Sequence, residues 1–203
     1  CLGHLLAQAG VASRRQAAEL VKAGRVTVAG HVETNPARRV ASGTPLTLDG
    51  QPVTLPAATV AVMLNKPPGY TCTVRDPHAA HPVVELVALP GVRLYPVGRL
   101  DVASEGLLIL TNDGDYAQRL LHPRHGICKT YLVTLDRRLT APEQQRLLAG
   151  IEDEGEQLRV AQILPGSATT SYRMVLTEGR KREIRRLVKA VGCRVLRLCR
   201  VAI

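Results

Sequence analysis

Residues 96–115 read PVGRLDVASEGLLILTNDGD, and the fold turns on how this stretch divides. LLILT (107–111) is apolar on both faces, the pattern of a strand buried within a sheet. Asn112-Asp113-Gly114 ends it with turn-forming residues. Tyr116, Ala117, Leu120 and Leu121 then follow at helical spacing until His122-Pro123 stops them. Upstream, Pro96 and Gly98 bracket a tight bend. Asp101 therefore sits on the loop entering a central strand, where a rigid scaffold can aim a loop residue at a ligand. If Arg99 to Asp101 is extended, the two side chains share a face, and the arginine would keep the carboxylate ionised. By residue type alone, a plain ion pair or a turn cap explains such an aspartate as well as catalysis does.

Toward the N-terminus, Leu2, Leu5 and Leu6 recur at helical spacing and Gly10 ends that helix. Ser13 with Gln16 forms a capping-box pattern for a second helix, whose apolar face of Ala17, Leu20 and Val21 runs to Gly24. RVTV (25–28) and HVET (31–34) read as strands around Ala29-Gly30, and LTLDGQPVTL (46–55) as a pair around Asp49-Gly50. Arg14 and Arg15 are cations in a helix's first turn, where the macrodipole disfavours them. A phosphate touching that terminus and both guanidinium groups would reverse the cost, and Lys22, Arg25 and Arg38-Arg39 are near in sequence. GVASRRQAAELVKAGRVTVAG resembles the S4 RNA-binding module known from a ribosomal small-subunit protein and several RNA-modifying enzymes. We expect an S4-like domain over 1–55, a linker at 56–60 and a second domain over 61–203.

The second domain opens with VAVMLNKPPGY (60–70), an apolar strand ended by two prolines. That rigid turn is expected to present Lys66 and Tyr70. A polar loop over 71–83, holding His78 and His81 as surface residues, leads to a short apolar segment at 83–89. CKTYLVTL (128–135) alternates, with Lys129 and Tyr131 on one face and Thr130, Leu132 and Thr134 on the other. A tyrosine over a basic pocket is what stacks an unstacked base. EGRKREIRRLVKAVGCRVLRLCR (178–200) predicts a helix with Ile184, Leu187, Val188 and Val191 on its apolar stripe, ending at Gly192. Between Arg180 and Arg200 it carries nine Lys/Arg against one Glu, most of the chain's net +10. Charge concentrated in one element suits a phosphate-binding face.

Composition narrows the function further. A chain of 203 residues that is 45% hydrophobic and 22% charged is ordinary for a globular protein. The +10 charge points to nucleic acid before an anionic membrane, and no apolar run approaches a spanning helix. Without Trp or Phe, base stacking must use Tyr, His or Arg. Five scattered cysteines without a C-x-x-C suit reduced thiols in the cytoplasm. There is no Gly-rich phosphate loop, dinucleotide fingerprint or metal-ligand cluster, so we expect no cofactor and no metal. The chain begins without Met and ends within a strand-like pattern, so both ends are expected to be trimmed. No apolar stripe is left over in the sequence, so a monomer is expected.

GRLDVASEGLLILTNDG, KTY and EGRKREIRR together resemble the ribosomal RNA pseudouridine synthases of the small- and large-subunit branch, which join an S4 module to a catalytic domain. The resemblance spans essentially the whole chain. It implies an α+β fold: an S4-type RNA-binding module of helices and a small sheet, then a mixed, largely antiparallel sheet with flanking helices. It implies Asp101 as the catalytic carboxylate, Arg99 as a neighbour contacting RNA or the loop, and Tyr131 as the ring packing on the target uracil. It also implies Ile184 as an apolar wall and Arg185 as the ion-pair partner of Asp101. Arg14, Arg15, Lys22, Lys66, Arg180, Lys181 and Arg182 are the expected RNA contacts. Family members continue past the final strand with a Gly-rich tail. The expected substrate is large-subunit ribosomal RNA, since RLYPVGRLDVASEGLLILTNDG with HPRHGICKTY resembles the large-subunit members more than the small-subunit one. The same chemistry on small-subunit RNA, a non-catalytic RNA-binding protein and a nucleosidase are the alternatives. A second carboxylate across the pocket would favour the last.

Overall fold

A computed structural model describes residues 1–56, 58–74, 80–87 and 89–203. Residues 75–79, with His78 of the expected polar loop, lie outside the described residues, as do Ala57 of the expected linker and Ala88. The chain forms two units. One holds Cys1–Ala61 with Leu89–Leu94 and Thr111–Gly114; the other holds Val62–Ala88, Tyr95–Leu110 and Asp115–Ile203.

In the first unit, α1 (Leu2–Gln8) and α2 (Arg14–Lys22) pack beside strands β1 (Val26–Val28), β2 (His31–Glu33), β3 (Leu46–Leu48) and β4 (Gln51–Pro52), ordered β2-β1-β3-β4. The capping box forms: Ser13 Oγ accepts from the Gln16 amide and Gln16 Oε1 from the Ser13 amide. Both hairpins turn through paired left-handed residues, Ala29-Gly30 and Asp49-Gly50, whose twist matches that of the strands they join. Leu2, Leu6, Ala17, Val21 and Val26 are fully buried and form the core. Residues 111–114 join this unit through side chains. Asn112 Oδ1 accepts from the Val60 amide at 2.7 Å, its Nδ2 donates to Ala58 O, and the Thr111 hydroxyl donates to Val60 O.

The second unit is built on a seven-stranded sheet. Its strands are β5 (Ala61–Lys66), β6 (Tyr95–Val97), β7 (Glu105–Thr111), β8 (Lys129–Leu135), β11 (Gln162–Pro165), β12 (Ser171–Leu176) and β13 (Val195–Ala202), while β9 (Ile151–Asp153) and β10 (Glu156–Leu158) form a separate hairpin. The order is β11-β12-β8-β13-β7-β5, with β6 on β7. From β11 to β13 neighbours are antiparallel, and β13 with β7 is a parallel pair. Helices α3 (Gly114–Leu121), α4 (Ala141–Ala149) and α5 (Glu183–Ala190) complete it. Val133, Leu147, Leu158 and Met174 are fully buried, with Leu187 and Val188 of α5 packed on them. The apolar stripe expected on α5 is thus the face that meets the sheet.

Two details depart from the sequence pattern. Pro96 lies inside β6, a strand paired with β7, where a bend was expected. The expectation that no apolar surface is left over also fails. Met63 is 78% and Leu196 64% exposed, and Leu132 and Leu164 stand on one outward cross-strand row with Arg173 between them.

Gly106 decides how β7 meets β13. It sits at φ +100°, and a Cβ there would lie 2.2 Å from the Arg200 carbonyl oxygen. Only glycine permits this approach. Gly106→Ala should lower stability by roughly 3 kcal/mol, read as a shift in the urea midpoint; an unshifted midpoint would contradict the close approach.

Candidate active site

The loop that carries Asp101 is held from beneath by Lys66. After β5 the two prolines turn the chain, but Lys66 points inward and is fully buried. Its ammonium donates to the backbone oxygens of Pro67 (3.0 Å), Asp101 (3.3 Å), Val102 (3.3 Å) and Ser104 (2.7 Å). Burial pulls its pKa down, opposed by the nearby Cys72, Asp101 and Glu105 groups. The expectation that Lys66 contacts RNA is therefore corrected: it has no exposed surface, and a desolvated ammonium is used where it can collect several carbonyls at once. The Leu100 amide, donating to Cys72 Sγ at 3.2 Å, ties the same loop from the other side.

Arg185, on the first turn of α5, lies 3.3 Å from the Asp101 carboxylate, and its Nη2 donates to Ser104 Oγ at 3.3 Å. This is the pair the family resemblance implies; Arg99, which an extended segment would have set beside Asp101, is exposed and makes no ion pair with it among the described residues. The partner arrives from 84 positions along the chain. Asp101, Arg99, Tyr131 and Ile184 all line one cavity of about 590 Å³, a size that suits a small ligand. Tyr131 and Ile184 are 7% and 3% exposed, so they form its inner wall.

Among the lining residues not singled out in the sequence, Leu198 and Arg200 project inward from β13, and Glu183 begins α5. Lys129, paired with Tyr131 on one strand face in the sequence, lies beside it in the lining. Arg200 was legible in principle: Leu198 faces the core, and a residue two positions on shares its face. Burial raises the Tyr131 phenol, with Arg200 acting against it. Burial and then Arg200 lower the Lys129 ammonium. Glu183 is 5% exposed, its carboxyl pushed up by burial, and it accepts from the Arg180 amide at 3.0 Å as a brace at the helix start. Glu105, the nearest second carboxylate in sequence, pairs with Arg197 and does not line the cavity.

The basic block is less free than its sequence suggests. Arg180 pairs with Glu178 and Glu156, Arg186 with Asp153 and Glu156, Arg194 with Asp136 and Arg197 with Glu105. All of these carboxylates but Glu178 come from distant segments, which a local charge count does not register. Lys181 and Arg182 are exposed and enter no ion pair among the described residues. In the first unit, Lys22 pairs with Glu19, Arg25 with Asp49 and Arg38 with Glu33, while Arg14 and Arg15 are exposed without such partners among the described residues.

This geometry coincides with clear relationships. Residues 60–190 match the RNA pseudouridylate synthase family and residues 4–46 the S4 domain. An RNA pseudouridine synthase of Mycobacterium bovis is 40% identical over 211 residues, covering 100% of this chain and 82% of the relative. The ribosomal large subunit pseudouridine synthase B of Bacillus subtilis is 34% identical, covering 98% and 83%. A solved structure described as a pseudouridylate synthase superposes with a TM-score of 0.68 at 26% identity, over 98% of this chain and 86% of that one. The S4 match, the mixed sheet and an aspartate loop opening onto a base-sized cavity place this chain in the RNA pseudouridylate synthase family.

Proposed function

We propose that this chain isomerises a uridine of large-subunit ribosomal RNA to pseudouridine, with Asp101 as the catalytic carboxylate. The observation that carries it is the Asp101 carboxylate, held by Arg185 at 3.3 Å on a loop fastened by Lys66, at a cavity walled by Tyr131 and Ile184. The large-subunit substrate is supported by the relative of that name. Residues 1–55 serve as the RNA-binding module, 56–60 as linker and 61–203 as the catalytic domain.

Breaking N1–C1′, turning the base and joining C5 to C1′ oxidises nothing and needs no donated group. One carboxylate suffices, either adding to C1′ or removing the 2′ proton. The target base must leave its stack, at a cost of a few kcal/mol, offset by packing on Tyr131 and Ile184 and by backbone contacts from Arg99, Lys181 and Arg182. Arg180, already paired twice, contributes less than those two. Work on ribosomal RNA supports a cytoplasmic enzyme, and Arg173, which interrupts the exposed apolar row of the sheet, supports a monomer.

Carbodiimide–primer-extension mapping tests this on protein-free ribosomal RNA from cells lacking the protein. A single new stop in large-subunit RNA is expected. A stop in small-subunit RNA corrects the substrate, and none on either RNA or on assembled particles leaves a binding protein. Arg14→Ala with Arg15→Ala should weaken RNA binding and reduce its salt slope by roughly 0.7–0.9 per lost phosphate contact. Lys22, already paired with Glu19, should contribute less. An unchanged slope for the double variant removes the phosphate site at α2.

A further inference from the structure

The inner wall of the cavity holds a cation that the steps above do not use. Arg200 is 3% exposed; its Nε donates to Leu107 O at 2.8 Å, and its Nη2 has no hydrogen-bond partner among the described residues. It lines the cavity with Lys129 and Tyr131, and its backbone is paired with that of Tyr131 across β8 and β13. Neither Arg200 nor Lys129 enters an ion pair among the described residues. The half-buried Lys129 and the buried Arg200 repel each other, and an unpaired buried charge is costly. Folds keep such charges where an anion arrives. Arg185 does not fill that role, since its charge is already set against Asp101. Glu183, which also lines the cavity, is turned onto the Arg180 amide.

The isomerisation produces an anion at this place. When N1–C1′ breaks, its electron pair stays with the base, which becomes a uracil anion with charge spread over N1, O2 and O4. On the other fragment, either Asp101 forms a bond to C1′ or it takes the 2′ proton. C5 of the anion then bonds to C1′. The Asp101–C1′ bond breaks, or the 2′ proton returns, and Asp101 is a carboxylate again. The C5 proton leaves and N1 gains one, so the balance closes without a co-reactant. Throughout the rotation Asp101 is neutral, as an ester or as an acid, so the negative charge that must be held is that of the base.

We propose that Arg200 is a catalytic residue that stabilises this anion, its guanidinium taking up the negative charge on the uracil ring from beside Tyr131. This role rests on the isomerase chemistry proposed above. Lys129 adds to the same positive field. An arginine keeps its charge in such a site, whereas a buried lysine readily loses it.

The test compares uridine with 5-fluorouridine at the mapped position of a short RNA, under single turnover. Conversion is read as loss of the starting nucleoside from the digested RNA. Fluorine withdraws electrons from the ring and stabilises the anion without help from the protein. Arg200→Gln should slow uridine conversion roughly 100- to 1,000-fold, with RNA affinity within a few fold. Its loss on 5-fluorouridine should be smaller by at least about tenfold. Arg200→Lys, which keeps the charge, should show a smaller difference between the two bases, and it carries the comparison if Arg200→Gln does not fold. Equal losses on both bases would mean that Arg200 only supports Tyr131 and the strand, and would overturn the proposal. A wild-type protein that converts neither base overturns the isomerase chemistry itself, and Arg200's role with it.

Discussion

Asp101→Asn should lower the rate of pseudouridine formation by at least about 10⁴-fold, while RNA affinity stays within a few fold. The amide is nearly isosteric, so the loop held by Lys66 and Cys72 keeps its place. What is lost is the carboxylate proposed to attack C1′ or accept the 2′ proton. Affinity should hold or rise slightly, because removing a carboxylate frees Arg185, which lies 3.3 Å from it, to meet an RNA phosphate. Single-turnover assays with filter binding separate the two quantities. Appreciable turnover by the asparagine variant would show that another group carries the chemistry, with Glu183 the first to examine, since it also lines the cavity.

Lys66→Met should have its main effect on stability. Methionine matches the length of the stem but leaves four carbonyls without their shared donor, and each unsatisfied group costs about 1–3 kcal/mol where water cannot reach it. Allowing for relaxation of the loop, we expect a loss of about 3 kcal/mol, or a Tm lower by roughly 10 °C. Residual activity at low temperature should fall in kcat more than in KM, because the carboxylate is displaced while the RNA-binding surface is not. An unchanged Tm would mean that the loop is held by other means.

Local order was legible along most of the chain. The capping box at Ser13, the hairpins at Ala29-Gly30 and Asp49-Gly50, the buried strand at 107–111 and the apolar face of α5 depend on neighbours within a few residues. Those are the ranges over which backbone conformation and side-chain periodicity are set. Asp101 was legible too, because an acidic residue at the mouth of an apolar strand breaks the local pattern.

The partners of the charged groups were not legible. Lys66 reads as a surface lysine after a Pro-Pro turn, and only the fold shows it buried under Asp101. Spacing alone offers Arg99, two residues away, as the partner of Asp101, and only the family resemblance pointed to Arg185, which lies against it. The basic block reads as a free cationic face until Asp153, Glu156, Asp136 and Glu105 are brought to it. Thr111 reads as the end of a strand and Asn112 as the start of a plain turn, although their side chains bind the backbone of residues 58 and 60. Sequence by itself determined the elements, the family pattern and the position of the acidic residue, since these follow from short-range periodicity and residue chemistry. The tertiary structure alone decided which charges are neutralised, which are buried and which remain free for a ligand. Electrostatic pairing acts through space over a few ångströms, and residues 84 or 93 positions apart reach that distance only when the sheet closes.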